Sequence, residues 1–217
     1  MRVAALLSGG KDSVYAAFLS SIMGMDPEVA LINVPEEEDP MVYHRPNIHL
    51  AGVVARLMGL EAKHFKGSTE GDLAGAIGSV GADALVAGVV ASEYQYWFLQ
   101  EACRRAECTL IAPLWGRDPE ELLREYTEAG MEVVITRVAA EGLDRSLLGR
   151  TISEVAGRLL EAHRRWGVNP VGEGGEFETL VVGAPWFSGE IRIKDVEVSE
   201  EGPFTATLRV LEHEVVA

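Results

Sequence analysis

At 217 residues, with 47% hydrophobic residues and 23 glycines, the chain carries enough apolar material for one substantial core or two smaller ones, which excludes a disordered or fibrous protein. Its formal net charge of −15 opposes tight, sequence-independent binding to RNA or DNA, because such binding depends on Lys and Arg displacing counterions from phosphates, so no stable nucleic-acid partner is expected. Cys103 and Cys108 are the only cysteines, too few for a disulfide framework and wrongly spaced for a CxxC site, and a reducing, cytoplasmic setting fits them.

Met1-Arg2 leads directly into a β-branched, strand-like run at residues 3–7. This start has no signal-peptide pattern, and every apolar run is broken by Gly, Ser or charge before the roughly 20 residues a membrane span needs, so no membrane association is expected. SGGKDS follows at 8–13, and a helical pattern over 13–23 places Val14, Ala17 and Phe18 on one face. Further strands are expected at 29–34, 62–65, 84–89 and 109–112, with helices over 48–58 and 92–106 between them. Strands alternating with helices of this length make βαβ units, hence a parallel, doubly wound sheet covered on both faces, complete with its fifth strand near Trp115. Tyr43-His44 and His49 flank an acidic loop, Glu36–Asp39, and read as surface or capping residues.

Beyond residue 115 the rhythm changes. Asp118-Pro119-Glu120-Glu121 opens a helix to about Ala129, with an N-cap, a first-turn proline and acids favoured by the dipole. A strand at 131–138, a helix at 151–166 and alternating strands at 190–198 and 205–215 follow. The expected organisation is therefore α/β over 1–115 and a second, smaller α+β domain over 116–217. Basic residues cluster at Arg104-Arg105 and at Arg150, Arg158, Arg164 and Arg165, where solvated helix faces are the simpler reading.

In a doubly wound sheet, ligands sit beyond the carboxyl ends of the strands, and SGGKDS falls at that edge, between the first strand and the first helix. Gly9 and Gly10 lack the Cβ that would obstruct a close approach, the helix start offers unpaired N–H groups, Lys11 adds a full charge, and Ser8 and Ser13 supply hydroxyls. These parts suit a phosphate-rich anion. The loop is neither Walker A, since Lys11 is followed by Asp12 and no glycine stands five positions before Gly10, nor GxGxxG. It resembles the PP-loop of the N-type ATP pyrophosphatases, which cleave ATP between its α and β phosphates to adenylate an oxygen.

Gly172-Glu173-Gly174-Gly175-Glu176-Phe177-Glu178-Thr179 sets three carboxylates among glycines. They would repel one another if buried alone, and they want Mg²⁺, an ammonium group, a fixed cation or solvent. An exposed turn leading into a strand at 179–182 is the competing reading.

GEGGEFETLV, taken with SGGKDS, AGVVASEYQ, LWGRDPEELLRE and GLDRSLLGR, resembles the diphthine–ammonia ligase family, in the family's order, from about Arg2 to Phe187. The resemblance implies an adenine nucleotide alpha hydrolase-like PP-loop domain followed by a substrate-binding domain. It also implies ATP and Mg²⁺, and amidation by ammonia of diphthine on translation elongation factor 2 through an acyl-adenylate, releasing AMP and pyrophosphate. Carried over position by position, it assigns catalysis to Lys11, Asp12 and Ser13. ATP binding goes to Ser8, Gly9, Gly10, Lys11, Asp12 and Ser13, with Asp12 toward Mg²⁺, and the protein substrate to Tyr94, Gln95, Glu173, Gly174, Gly175, Glu176, Phe177 and Glu178. Asn33, ending the second strand, and Gly88, after the fourth, are added to the ATP site by their place at the same sheet edge, Asn33 toward the adenine. Gly88 and Ser92–Gln95 also read as a plain βα turn, and Cys103 and Cys108 as structural. Related sequences carry arginine after the Tyr-Gln pair, whereas here Tyr96 follows; if that arginine touches phosphate or substrate, the contact is either missing here or supplied elsewhere, by Arg104 or Arg117. The rival functions are another PP-loop enzyme modifying tRNA, and an ATP-binding module without turnover. The sequence leaves the oligomeric state open, a homodimer being one reading.

Overall fold

The computed structural model describes residues 1–34 and 47–217. The acidic loop and Tyr43-His44 lie outside the described residues. The chain divides into two compact units, Met1–His44 with Ile48–Gly116, and Arg45–Asn47 with Arg117–Ala217.

The first unit holds five parallel strands: β1 (Val3–Leu6), β2 (Pro27–Asn33), β3 (Glu61–Phe65), β4 (Ala84–Val86) and β5 (Thr109–Ile111). Their order is β3-β2-β1-β4-β5, so the chain builds outward from β1 on one side, then crosses back to build β4 and β5 on the other. The switch falls between β1 and β4, and a doubly wound sheet opens its ligand crevice there. The helices are α1 (Lys11–Ile22), α2 (Ala51–Leu57, preceded by a 3₁₀ turn at Ile48–Leu50), α3 (Glu70–Val80) and α4 (Glu93–Arg105). Ala4, Val29, Leu31, Ile77, Leu85 and Leu99 are buried together at the centre of one core. Each of the larger side chains contributes about 1.5–3 kcal/mol relative to staying exposed.

Two details depart from expectation. Helix α1 starts at Lys11 rather than at residue 13: Gly10 is the N-cap, and the Ser13 hydroxyl donates to the Gly10 carbonyl at 2.9 Å, so Lys11 and Asp12 already belong to the first turn. Helix α3 has no strong periodic signature, because Gly71, Gly75 and Gly78 each cost roughly 1 kcal/mol of helix propensity. It forms because Leu73, Ala76, Ile77 and Val80 are buried on one face and both ends are capped. Thr69 and Asp72 form a capping box, and Gly81 closes the helix in the left-handed region at φ 62°.

The second unit is antiparallel: β6 (Glu132–Ala139), β7 (Phe177–Gly183), β8 (Glu190–Gly202) and β9 (Thr205–Val216) in the order β7-β6-β9-β8, with helices α5 (Pro119–Glu128) and α6 (Ile152–Trp166). Asp118 caps α5 by accepting from the Glu120 and Glu121 amides, both at 3.0 Å, and Thr151 opens α6 with a capping box to Glu154. Leu122, Leu123 and Tyr126 of α5 and Val155 and Leu159 of α6 are buried, as are Val133 and Ile135 of β6. Asn47 lies with this unit, its side-chain Nδ2 donating to the Leu208 carbonyl of β9 at 2.9 Å and its Oδ1 accepting from the Val210 amide at 2.8 Å. Among the described residues no helix is long and apolar enough to cross a membrane.

Candidate functional site

The loop after β1 is folded by its own serines. The Ser8 and Ser13 hydroxyls lie 3.1 Å apart, the Ser8 amide donates to Ser13 Oγ at 3.2 Å, and the Gly10 amide donates to Ser8 Oγ at 3.3 Å. Gly9 takes φ 82°, a left-handed conformation that glycine adopts without a Cβ penalty. This winding leads into the N-terminus of α1, where backbone N–H groups and the helix dipole favour an anion. Lys11 stands there with its side chain only 3% exposed, its ammonium 2.8 Å from the half-exposed Asp12 carboxylate. A buried ammonium is costly unless paired. Holding one at a helix start that already favours anions concentrates positive potential in the loop.

The end of β4 presses on this loop. A Cβ on Gly88 would lie 2.5 Å from the Asp12 carbonyl carbon and oxygen and 2.7 Å from the Ser13 nitrogen, so only glycine lets the β4–α4 connection approach the loop backbone this closely. The structure thus brings Gly88 together with Ser8 to Ser13. Asn33, at the end of β2, donates its amide to the Gly67 carbonyl at 2.9 Å, which fixes the connection from β3 to α3. Helix α4 opens with Ser92 as N-cap, its hydroxyl accepting from the Gln95 amide at 3.3 Å. Tyr94 and Gln95 are both exposed in the first turn. Tyr96 stacks on Trp115, ring centroids 4.3 Å apart, and its hydroxyl accepts from Gln100 at 3.0 Å. The two arginines considered as substitutes at this position are engaged with carboxylates: Arg104 donates twice to Glu101, at 2.7 and 2.8 Å, and Arg117 forks onto Glu125.

In the second unit the Gly-rich acidic motif is a set of successive turns between α6 and β7. Asn169 organises it, its side chain accepting from the Val171 amide and its carbonyl from the Gly172 amide, both at 2.9 Å. Gly175 then donates to the Gly172 carbonyl at 3.0 Å. Gly172 sits at φ 69°, and a Cβ there would come within 2.7 Å of the Phe177 carbonyl. Glu176 accepts from the Asn169 amide at 3.0 Å through Oε1, while its Oε2 is buried without a hydrogen bond. Phe177 is 2% exposed and faces the core, so its ring serves packing instead of offering a face at the surface. Strand β7 accordingly begins at Phe177, inside the motif. Glu178 lies opposite Arg137 on β6. Among the described residues no three His, Cys, Asp or Glu side chains converge as a metal site, so Glu173, Glu176 and Glu178 do not form a metal cluster of their own.

Sequence reasoning missed Asn169 and the Tyr96–Trp115 stack. The first was signalled only by an Asn followed by Pro, the second not at all, since two rings 19 positions apart meet only in the fold.

The order of these two motifs along the chain matches two family models that follow one another along it: the diphthamide synthase N-terminal domain over residues 1–109 and the diphthamide synthase C-terminal domain over residues 118–208. The chain belongs to the diphthamide synthase family. Curated relatives of this family include the diphthine–ammonia ligase of Homo sapiens, 30% identical over 91% of this chain and 85% of that protein. That of Rattus norvegicus is 32% identical over 91% of this chain and 84% of its own length. Among solved structures, a predicted subunit of tRNA methyltransferase from Methanocaldococcus jannaschii overlays at a TM-score of 0.46 with 19% identity, covering 85% of this chain and 97% of that one; so loose a likeness adds nothing to the family assignment.

Proposed function

We propose that this diphthamide synthase family member is a ligase that amidates diphthine, a protein-bound histidine derivative on elongation factor 2, with ammonia, converting ATP to AMP and pyrophosphate. A carboxylate resists ammonia because its leaving group would be oxide. Transfer of AMP to the carboxylate oxygen breaks the α–β phosphate bond and releases pyrophosphate; ammonia then attacks the acyl carbon and expels AMP, so that the oxygen leaves with the nucleotide.

The observation that carries this reading is the loop after β1: a buried, paired lysine at a helix start, wound by two serines and closed by a glycine that admits no Cβ. Ser8, Gly9, Gly10 and Ser13 cradle the phosphates, and Lys11 balances charge that develops as pyrophosphate departs. Asp12 supplies the one carboxylate at this loop, which suits Mg²⁺ as it is usually held, by one or two protein carboxylates together with substrate phosphates; when bound, the ion neutralises phosphate oxygens. Gly88 and Asn33 shape the nucleotide side. Tyr94, Gln95 and the acidic turns from Glu173 to Glu178, with Gly174 and Gly175 holding their bends and Phe177 anchoring them, serve the protein substrate. The unpartnered Glu176 Oε2 supports that division, because a buried carboxylate oxygen without a donor is costly.

Incubation with ATP, ammonium and diphthine-bearing elongation factor 2 tests the proposal: repeated turnover to AMP and pyrophosphate should need all three, while ATP and the factor without ammonium should give at most the single pyrophosphate of the adenylation step. Formation of ADP, or turnover indifferent to the factor, would refute it.

A further inference from the structure

Single exposed apolar side chains are ordinary, whereas neighbouring ones mark a surface that can bind, and Tyr94 and Trp97 are 80% and 67% exposed close together at the start of α4. The two stand at i and i+3, hence on one face of the helix, and the Glu93 carboxylate stands at i−4 from Trp97 on the same face. Trp97 is not loose. Its ring meets Tyr96 edge-on, with centroids 5.8 Å apart and planes at 83°. Tyr96 lies flat on Trp115 at 4.3 Å and is pinned by Gln100 through its hydroxyl. Trp115 and Tyr96 both pack against the core of the first unit. A ladder of three rings therefore runs from that core to a tryptophan at the surface, one helical turn beyond the β4–α4 connection whose Gly88 touches the Asp12 backbone.

We infer that Trp97, held by Tyr96 and flanked by Tyr94 and Glu93, is the specificity determinant that receives the quaternary ammonium of diphthine. The inference rests on the proposed reaction for the identity of its ligand. A trimethylammonium group donates no hydrogen bonds and keeps its charge at every pH, so a protein recognises it by aromatic faces and nearby carboxylates. Trp provides the strongest such face, and the two rings with Glu93 combine both elements on a helix whose direction is fixed by the Ser92 cap. Preorganisation by the ladder matters because a free surface tryptophan would lose rotamer freedom on binding. The cation fixed here lies in the same substituent as the carboxylate to be activated, so recognition at Trp97 holds that carboxylate beside the helix that follows the Gly88 connection.

The test compares wild type, Trp97→Leu, Trp97→Phe and Tyr96→Phe on elongation factor 2 bearing diphthine and on the same factor bearing the unmethylated amine, by steady-state amidation and by equilibrium binding without ATP. Trp97→Leu should raise KM and Kd for the diphthine form about tenfold, the middle of the usual cation–π range. The kcat should stay within about twofold, as expected when binding common to ground and transition states is lost. Trp97→Phe should recover part of the loss, and Tyr96→Phe, which keeps the ring but loses the Gln100 hydrogen bond, should fall between wild type and Trp97→Leu. The unmethylated amine, whose ammonium can hydrogen-bond elsewhere, should lose less than the diphthine form in each variant. Equal losses on both forms, or unchanged Kd in Trp97→Leu, would overturn the inference. A wild type that binds the methylated form preferentially through Trp97 but makes no AMP would sink the proposed reaction and leave this inference standing.

Discussion

In the proposed reaction, the charge of the first unit's loop is concentrated on Lys11. Its ammonium is buried, paired only 2.8 Å from Asp12, and placed where a helix start already favours negative charge. Lys11→Met, close in volume, should preserve folding and lower AMP formation by about 10²-fold or more, the usual loss for one preorganised electrostatic group; unchanged AMP release in a pyrophosphate-coupled assay would remove Lys11 from the mechanism. Gly88→Ala acts through the backbone. Its added Cβ would fall 2.5 Å from the Asp12 carbonyl, and since neither partner is a flexible tip, overpacking of about 1–3 kcal/mol is expected, measurable as a lower Tm together with a raised KM for ATP. Cys103 makes the opposite case. Burial pushes its thiol far above the ordinary cysteine value, and Cys108, hydrogen-bonded to it, is raised by burial as well. Both should therefore resist alkylation by iodoacetamide at pH ~8 in the folded protein and react only on unfolding, because the thiolate is the reactive form.

At the scale of elements, legibility followed local signals. The loop 8–13 was readable because Gly, Lys and Ser stand at a strand end, where such residues have few other uses. Helix α5 was readable from Asp118 and Pro119. Helix α3 was not, because three glycines mask its periodicity and its capping box uses Asp72 where Glu or Gln is the commoner signal. Tertiary burial of Leu73 and Ile77 overrode propensity. The burial of Phe177 was equally unreadable, since an aromatic beside three acids looks like a ligand wall until the register of β6 with β7 sets Phe177 opposite Val138. Thr69→Ala should cost α3 about 1 kcal/mol, seen as faster amide exchange confined to residues 70–80. The loss carries a pH signature. Hydrogen bonds from the Thr69 hydroxyl and amide hold the Asp72 carboxyl below its ordinary value, so the box contributes fully above that ordinary value and is lost as pH falls through the lowered one. The difference between Thr69→Ala and wild type should therefore be largest near neutrality and shrink in strong acid.

At the scale of the whole molecule, the two units divide the proposed reaction into a phosphate-handling part and an acidic part, and the family models follow the same two halves at residues 1–109 and 118–208. A ligand that binds only the folded state stabilises by mass action, about 2.7 kcal/mol at a hundredfold excess over Kd. ATP should accordingly protect residues 8–13 and the Gly88 connection from amide exchange, and leave β8 and β9 unaffected. The central claim, that this chain joins ammonia to a protein-bound carboxylate at the expense of the α–β bond of ATP, is tested most directly by mass measurement of diphthine-bearing elongation factor 2 after incubation with ATP and ¹⁵N-ammonium. The account predicts the mass change of a carboxyl-to-amide conversion, one ¹⁵N incorporated, and AMP formed in equal amount. An unmodified factor under conditions where ATP is bound, or modification with ADP as the product, would contradict it.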